Sequence, residues 1–196
     1  SFTRRQAVLN GLAAVAPWLG AGTATLTARH SHAAPTPQVQ PFAQGLQQPW
    51  GLAFLPDRRL LITQKTGAVV IVSADGRQVS APLEGVPAVV ASGQGGLLDV
   101  CLDPDFDREP WVYLSYAEPG SGAEAGKAGT SVARGRLRGN RLHEVEVIFR
   151  QWPKVSGSGH FGCRLVFRRD KTLFVALGER QLKTPAQDLN THLGKV

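Results

Sequence analysis

The feature that most limits what this chain can become is a phrase that returns three times: glycine, an apolar run, a Pro/Asp turn, a second apolar run. The first copy is Gly51-Leu52-Ala53-Phe54-Leu55, the turn Pro56-Asp57-Arg58, and Leu60-Leu61-Ile62-Thr63. The second is Gly96-Leu97-Leu98-Asp99-Val100-Cys101-Leu102, the turn Asp103-Pro104-Asp105-Phe106, and Trp111 to Tyr116. The third is Gly162-Cys163-Arg164-Leu165-Val166-Phe167, the turn Arg168-Arg169-Asp170, and Thr172 to Leu177. Apolar runs this short, separated by tight turns, are strands of a meander, because a tight turn can join only antiparallel neighbours. Further turns at Thr66-Gly67 and Asp75-Gly76 bracket a third strand, Ala68 to Ser73, in the first copy.

The copies begin at Gly51, Gly96 and Gly162, intervals of 45 and 66 residues. The shorter one lies in the range of about 40–50 residues expected for propeller blades. The loop Glu118 to Gly129 is expected to lengthen the other. A single blade cannot bury both faces of its sheet, so such repeats stack around a channel. The expectation is all-β, a β-propeller of which about the first three blades are present, too few to close a ring. The last residues, Leu193-Gly194-Lys195-Val196, read as the start of a fresh strand, so the chain reads as truncated. With 22 glycines and 13 prolines, a helical bundle is excluded.

The formal charge of +7 raises the question of nucleic acid. Arg4, Arg5 and Arg29 lie in the first 33 residues, which contain no acid, and the chain has no basic run of five. The remaining charges alternate along loops, so they read as a solvated surface with no nucleic-acid partner.

At the amino terminus, Arg4-Arg5 precedes the apolar stretch Ala7 to Leu19, and small residues follow up to Ala33-Ala34. This is the pattern of an export signal, and the paired arginines resemble the twin-arginine type. The alternative is an uncleaved amphipathic helix or an anchor, but Asn10, Gly11 and Pro17 interrupt a run already shorter than the roughly 20 residues a span needs. The expected organisation is a signal over 1–33 cleaved after Ala33, a Pro/Gln linker over 34–41 and an incomplete propeller over 42–196. The mature protein is expected in the periplasm, without a membrane span. Cys101 and Cys163 are the only cysteines. One disulfide is permitted in that compartment, but their apolar strand settings favour free, buried thiols.

Three residues could carry chemistry. His160 sits in Ser156-Gly157-Ser158-Gly159-His160-Phe161, a small-residue loop before the third copy. An imidazole there suits proton abstraction from a hydroxyl, and a surface histidine is the alternative. Glu179, in Leu177-Gly178-Glu179-Arg180, follows the partner strand and could orient that imidazole, or simply pair with Arg180 at a turn. Gln94, in Ser92-Gly93-Gln94-Gly95-Gly96, occupies the equivalent loop of the second copy and could grip a hydroxyl or be an ordinary turn residue. No metal cluster, phosphate loop or nucleophile elbow is present. Asp103-Pro104-Asp105-Phe106-Asp107 is acidic but lacks EF-hand spacing, so it reads as an Asp-capped turn and no residue is assigned to a metal.

Taken together, Pro49-Trp50-Gly51-Leu52-Ala53-Phe54-Leu55-Pro56-Asp57, Gly93 to Val100 with Asp103-Pro104-Asp105-Phe106, His160-Phe161-Gly162 with Arg164 to Phe167, and Ala186-Gln187-Asp188-Leu189 with Gly194-Lys195-Val196 resemble the bacterial aldose and glucose dehydrogenases that depend on pyrroloquinoline quinone (PQQ). The resemblance covers nearly all of the mature chain but at most the first half of that family's domain. It implies a six-bladed propeller with PQQ and Ca²⁺ at the channel mouth. A histidine takes the proton of an aldose's anomeric hydroxyl, the quinone accepts hydride, the lactone leaves and electrons pass to an external acceptor. His160 matches that base, Glu179 its supporting carboxylate and Gln94 the substrate-side glutamine. Cys163 departs from a position usually small, commonly Gly, and Arg180-Gln181-Leu182-Lys183 replaces a more polar stretch. The cations that grip PQQ and the carbonyls that ligate its calcium belong mainly to later blades, beyond Val196. The chain by itself is therefore expected to be inactive. The alternative reading is a propeller used only for binding a carbohydrate or a protein.

Overall fold

The computed structural model describes residues 37–196, so the expected signal over 1–33 and the start of the linker lie outside the described residues. Three antiparallel sheets follow one another in chain order. The first holds β1 (Pro49–Phe54), β2 (Leu60–Gln64) and β3 (Ala68–Val72). The second holds β4 (Leu97–Leu102), β5 (Trp111–Pro119), β6 (Ala128–Arg138) and β7 (Arg141–Arg150). The third holds β8 (Gly162–Phe167) and β9 (Leu173–Leu177). Strands adjacent in sequence are adjacent in space, as tight turns require, and the all-β reading holds. In each sheet the two apolar runs of the repeated phrase are the first two strands.

The first strand of every sheet carries a bulge at the same place. Pro49 pairs with Gln64 but Leu52 with Ile62; Leu97 with Tyr116 but Val100 with Leu114; Gly162 with Leu177 but Leu165 with Val175. In each case one extra residue on the first strand opposes the second, which bends that strand and turns its entrance. This register corrects the expected alignment of the copies. Phe54, Leu102 and Phe167 are equivalent, opposite Leu60, Val112 and Leu173, whereas Gly51 falls inside its bulge and Gly96 precedes its strand.

Two other expectations change. The segment Glu118 to Gly129 is not one loop, because Glu118 and Pro119 complete β5 while Ala128 and Gly129 begin β6. The second interval is long chiefly because β6 and β7 are 11 and 10 residues, the longest of the described strands. Leu193 to Val196 is a turn rather than a strand. Gly194 has φ +67°, and the Lys195 ammonium donates to the carbonyls of Pro185, Ala186 and Leu193 and so folds the segment on itself. A single main-chain bond, from the Leu177 N–H to the Lys195 carbonyl, ties it to β9.

The sheets stack through their faces. Leu61, Val69 and Ile71 of the first pack against Leu97, Val100, Val112, Leu114 and Tyr116 of the second. Tyr113 and Val132 of the second meet Leu165 of the third. Polar latches cross the same seams. Thr63, fully buried, accepts the Gly51 N–H at 2.8 Å and donates to the Leu98 carbonyl of the next sheet at 2.5 Å. Ser115 repeats this, accepting the Asp99 N–H at 3.0 Å and donating to the Cys163 carbonyl at 2.7 Å. Each hydroxyl sits opposite its sheet's bulge, where the ladder leaves main-chain groups without strand partners. Cys101 and Cys163 are free thiols, and burial pushes Cys101 up to about 12.

Candidate active site

In an antiparallel pair, the entrance of the first strand and the exit of the second lie at the same end. His160 precedes β8 and Glu179 follows β9, and the Gly162–Leu177 pair closes the ladder between them. The ladder then continues irregularly. The Gly178 N–H donates to the Phe161 carbonyl at 3.0 Å and the Arg180 N–H to the His160 carbonyl at 3.1 Å. A side chain at residue 178 would force its Cβ to 2.1 Å from the His160 carbonyl oxygen, so only glycine lets the two segments approach this closely.

That approach brings His160 Nδ1 to 2.5 Å from Glu179 Oε1. The second carboxylate oxygen accepts the Lys183 N–H at 2.8 Å. The Lys183 N–H, and after it the His160 ring, hold the Glu179 carboxyl below the usual carboxylate range. An ionised carboxylate can only accept, so Nδ1 carries the proton, and in the neutral ring Nε2 presents its lone pair. The imidazole is half-exposed and Glu179 is largely covered, so the ring faces outward with the carboxylate behind it.

Gln94 joins from the loop before β4. Its Oε1 accepts the His160 N–H at 2.6 Å, and its own N–H donates to the Ser158 carbonyl at 2.7 Å. This commits the Gln94 oxygen to the protein and leaves its amide NH₂ as the group able to meet a ligand. Lys65, just after β2, donates through Nζ to the Gly93 carbonyl and is a cation of this loop cluster with an exposed head. The three residues singled out from the sequence thus meet at one end of the sheets. A cleft of about 650 Å³ at the other end, lined by Leu55, Phe106 and Asn140 among others, includes none of them. The site is therefore located by its chemistry rather than by the volume of a cavity. Among the described residues no group of three His, Cys, Asp or Glu side chains converges to hold a metal ion. Asp103 caps its turn through the Asp105 N–H at 2.9 Å.

The model of the family described as Glucose / Sorbosone dehydrogenase matches residues 46–196, from just before β1 through the whole of this site. This chain belongs to the glucose/sorbosone dehydrogenase family. Aldose sugar dehydrogenase YliI of Escherichia coli K12 is 48% identical over 164 residues, which are 82% of this chain and 43% of that protein. Quinoprotein glucose dehydrogenase B of Acinetobacter calcoaceticus is 27% identical over 177 residues, 77% of this chain and 36% of that protein. A solved PQQ-bound aldose sugar dehydrogenase from Streptomyces coelicolor superposes with a TM-score of 0.68 at 30% identity, covering 78% of this chain and 44% of that one. The chain thus spans about two fifths of the length of these relatives.

A further side chain beside these three, Arg180, is not marked by the sequence. Beside Glu179 it reads as a surface partner for that acid, but the structure turns it inward. It is 3% exposed, with Nε donating to the Gly159 carbonyl at 2.8 Å and Nη1 to the Ala128 carbonyl at 2.5 Å. No local pattern announces a buried arginine whose partners lie 21 and 52 residues away.

Proposed function

We propose that the protein carrying this chain oxidises the anomeric hydroxyl of an aldose to the lactone in the periplasm, using PQQ and Ca²⁺ and passing electrons to an external acceptor. The observation that carries this reading is the convergence of His160, Glu179 and Gln94. Support comes also from the E. coli relative, named an aldose sugar dehydrogenase, and from the Streptomyces neighbour, solved with PQQ bound. Among the described residues no helix is long and apolar enough to cross a membrane.

The residues present fit the sugar side of such a site. Lys65 could meet one carboxylate of the cofactor, and Arg180 is committed to main-chain carbonyls, so further cations must come from elsewhere to hold a tricarboxylate. PQQ, when bound, supplies the acceptor for the two electrons that leave the anomeric carbon. The protein's part is proton transfer and orientation. Nε2 of His160 takes the anomeric hydroxyl proton, Glu179 stabilises the imidazolium so formed, and the Gln94 amide donates to a sugar oxygen.

The test is turnover of aldoses by the whole protein with PQQ, Ca²⁺ and a dye acceptor. H160A is expected to lower kcat by about 10²–10⁴-fold with PQQ binding retained, the range for losing a general base. Unchanged turnover in H160A would refute the assignment.

A further inference from the structure

The base sits on a loop with little reason to hold still. Ser156-Gly157-Ser158-Gly159 carries two glycines, and His160 itself is held at φ +46°, a left-handed conformation that a residue with a Cβ does not choose by default. Something must fix it. Nε of Arg180 bonds the Gly159 carbonyl, Nη2 the Gly157 carbonyl and Nη1 the Ala128 carbonyl at the start of β6, while the Arg180 N–H bonds the carbonyl of His160 itself. Beneath the guanidinium lies the ring of Phe161, centroid at 3.6 Å, itself buried against Leu98, Ala117 and Ala128. The residues on both sides of His160 are therefore gripped by one side chain. Among the described residues no acid is paired with that side chain, and burial alone pulls its pKa below the ordinary guanidinium value. A buried cation without a counter-charge is expensive, and a salt bridge that merely stabilised the fold would include the anion.

We propose that Arg180 is the positioning residue for the base: its planar fork braces the Gly157–Gly159 loop against β6 and so holds the His160 imidazole on Glu179. This rests on reading His160 as the base. A lysine would keep the charge and the stem but has no fork, so it cannot reproduce three fixed donor directions.

The test is the state of the imidazole, followed by nitrogen-15 NMR in the whole protein labelled at histidine, with H160Q identifying the signal. The wild-type ring is expected in the Nδ1-protonated tautomer with a protected, low-field Nδ1–H. R180M and R180K are each expected to lose that protected proton and to mix the two tautomers. In turnover, kcat is expected to fall on the order of 10²-fold with KM for the aldose changed less than about twofold, as for a displaced catalytic group. A variant that remains folded by near-ultraviolet circular dichroism and keeps the wild-type Nδ1–H signal overturns the proposal. If R180M does not fold, R180K decides. If the wild type does not oxidise sugars, the functional reading fails while the NMR comparison still judges Arg180.

Discussion

Glu118 shows how far a single partly buried group can bind a sheet together. Its carboxylate, at the end of β5, accepts from Lys154 Nζ at 2.6 Å, Ser131 Oγ at 2.9 Å and Arg150 Nε at 3.0 Å. Burial pushes its pKa up, and the bonds from Lys154, Ser131 and Arg150 together outweigh that and hold it below the usual carboxylate range. A carboxyl with a depressed folded pKa contributes stability that is fully present above its unfolded value of about 4.3 and is lost as pH falls through the folded value. The expected outcome is that E118Q removes part of the acid-side loss of stability. At neutral pH it leaves Lys154, whose side chain is 8% exposed, without its counter-charge, at a cost of about 2–4 kcal/mol. Chemical denaturation of E118Q and wild type at pH 7 and pH 3.5 checks both statements; an equal difference at the two pH values would contradict the first.

At the scale of elements, the bulge and the hydroxyl opposite it form one device used twice. Thr63 satisfies the first sheet's bulge and reaches the second sheet, and Ser115 does the same from the second sheet to the third. The third sheet has Ala176 at the corresponding place, between Val175 and Leu177. Asp99, within the second bulge, adds a carboxylate that accepts the Leu165 N–H at 2.8 Å and Arg164 Nη1 at 3.1 Å across the same seam. T63V keeps the shape but strands the Gly51 N–H and the Leu98 carbonyl, and is expected to cost about 2–3 kcal/mol in urea denaturation. A loss below about 0.5 kcal/mol would mean that water or main chain replaces the latch. The bulge also explains why the site lies where it does. It bends each first strand just after its entrance, which brings the loops ending at Gly96 and Phe161 together at one end of the stack.

For the whole molecule, the outer faces of the first and last sheets matter most. Val166 and Phe174 pair across β8 and β9, and each is about half exposed. Phe54 on the first sheet is 70% exposed, although Ala43 and Leu46 cover its neighbours Leu60 and Ile62. Apolar faces like these are of the kind that stacked repeats bury against a neighbouring sheet. The 196-residue chain made alone is expected to bind a hydrophobic dye and to give no turnover with PQQ, Ca²⁺, glucose and an acceptor; turnover by the chain alone would overturn the expectation of inactivity. The sequence by itself marked seven of the nine described strands, their antiparallel order and three residues that come together at one end, because alternation of apolar runs with turns is local and the loops that carry His160, Glu179 and Gln94 lie beside recognisable strand ends. Only the tertiary structure decided which positions of the three copies are equivalent, where Leu193 to Val196 turns and where the Arg180 side chain lies. A one-residue bulge changes register without changing the apolar pattern, and a side chain that bonds carbonyls 21 to 52 residues away leaves no trace in its own neighbourhood.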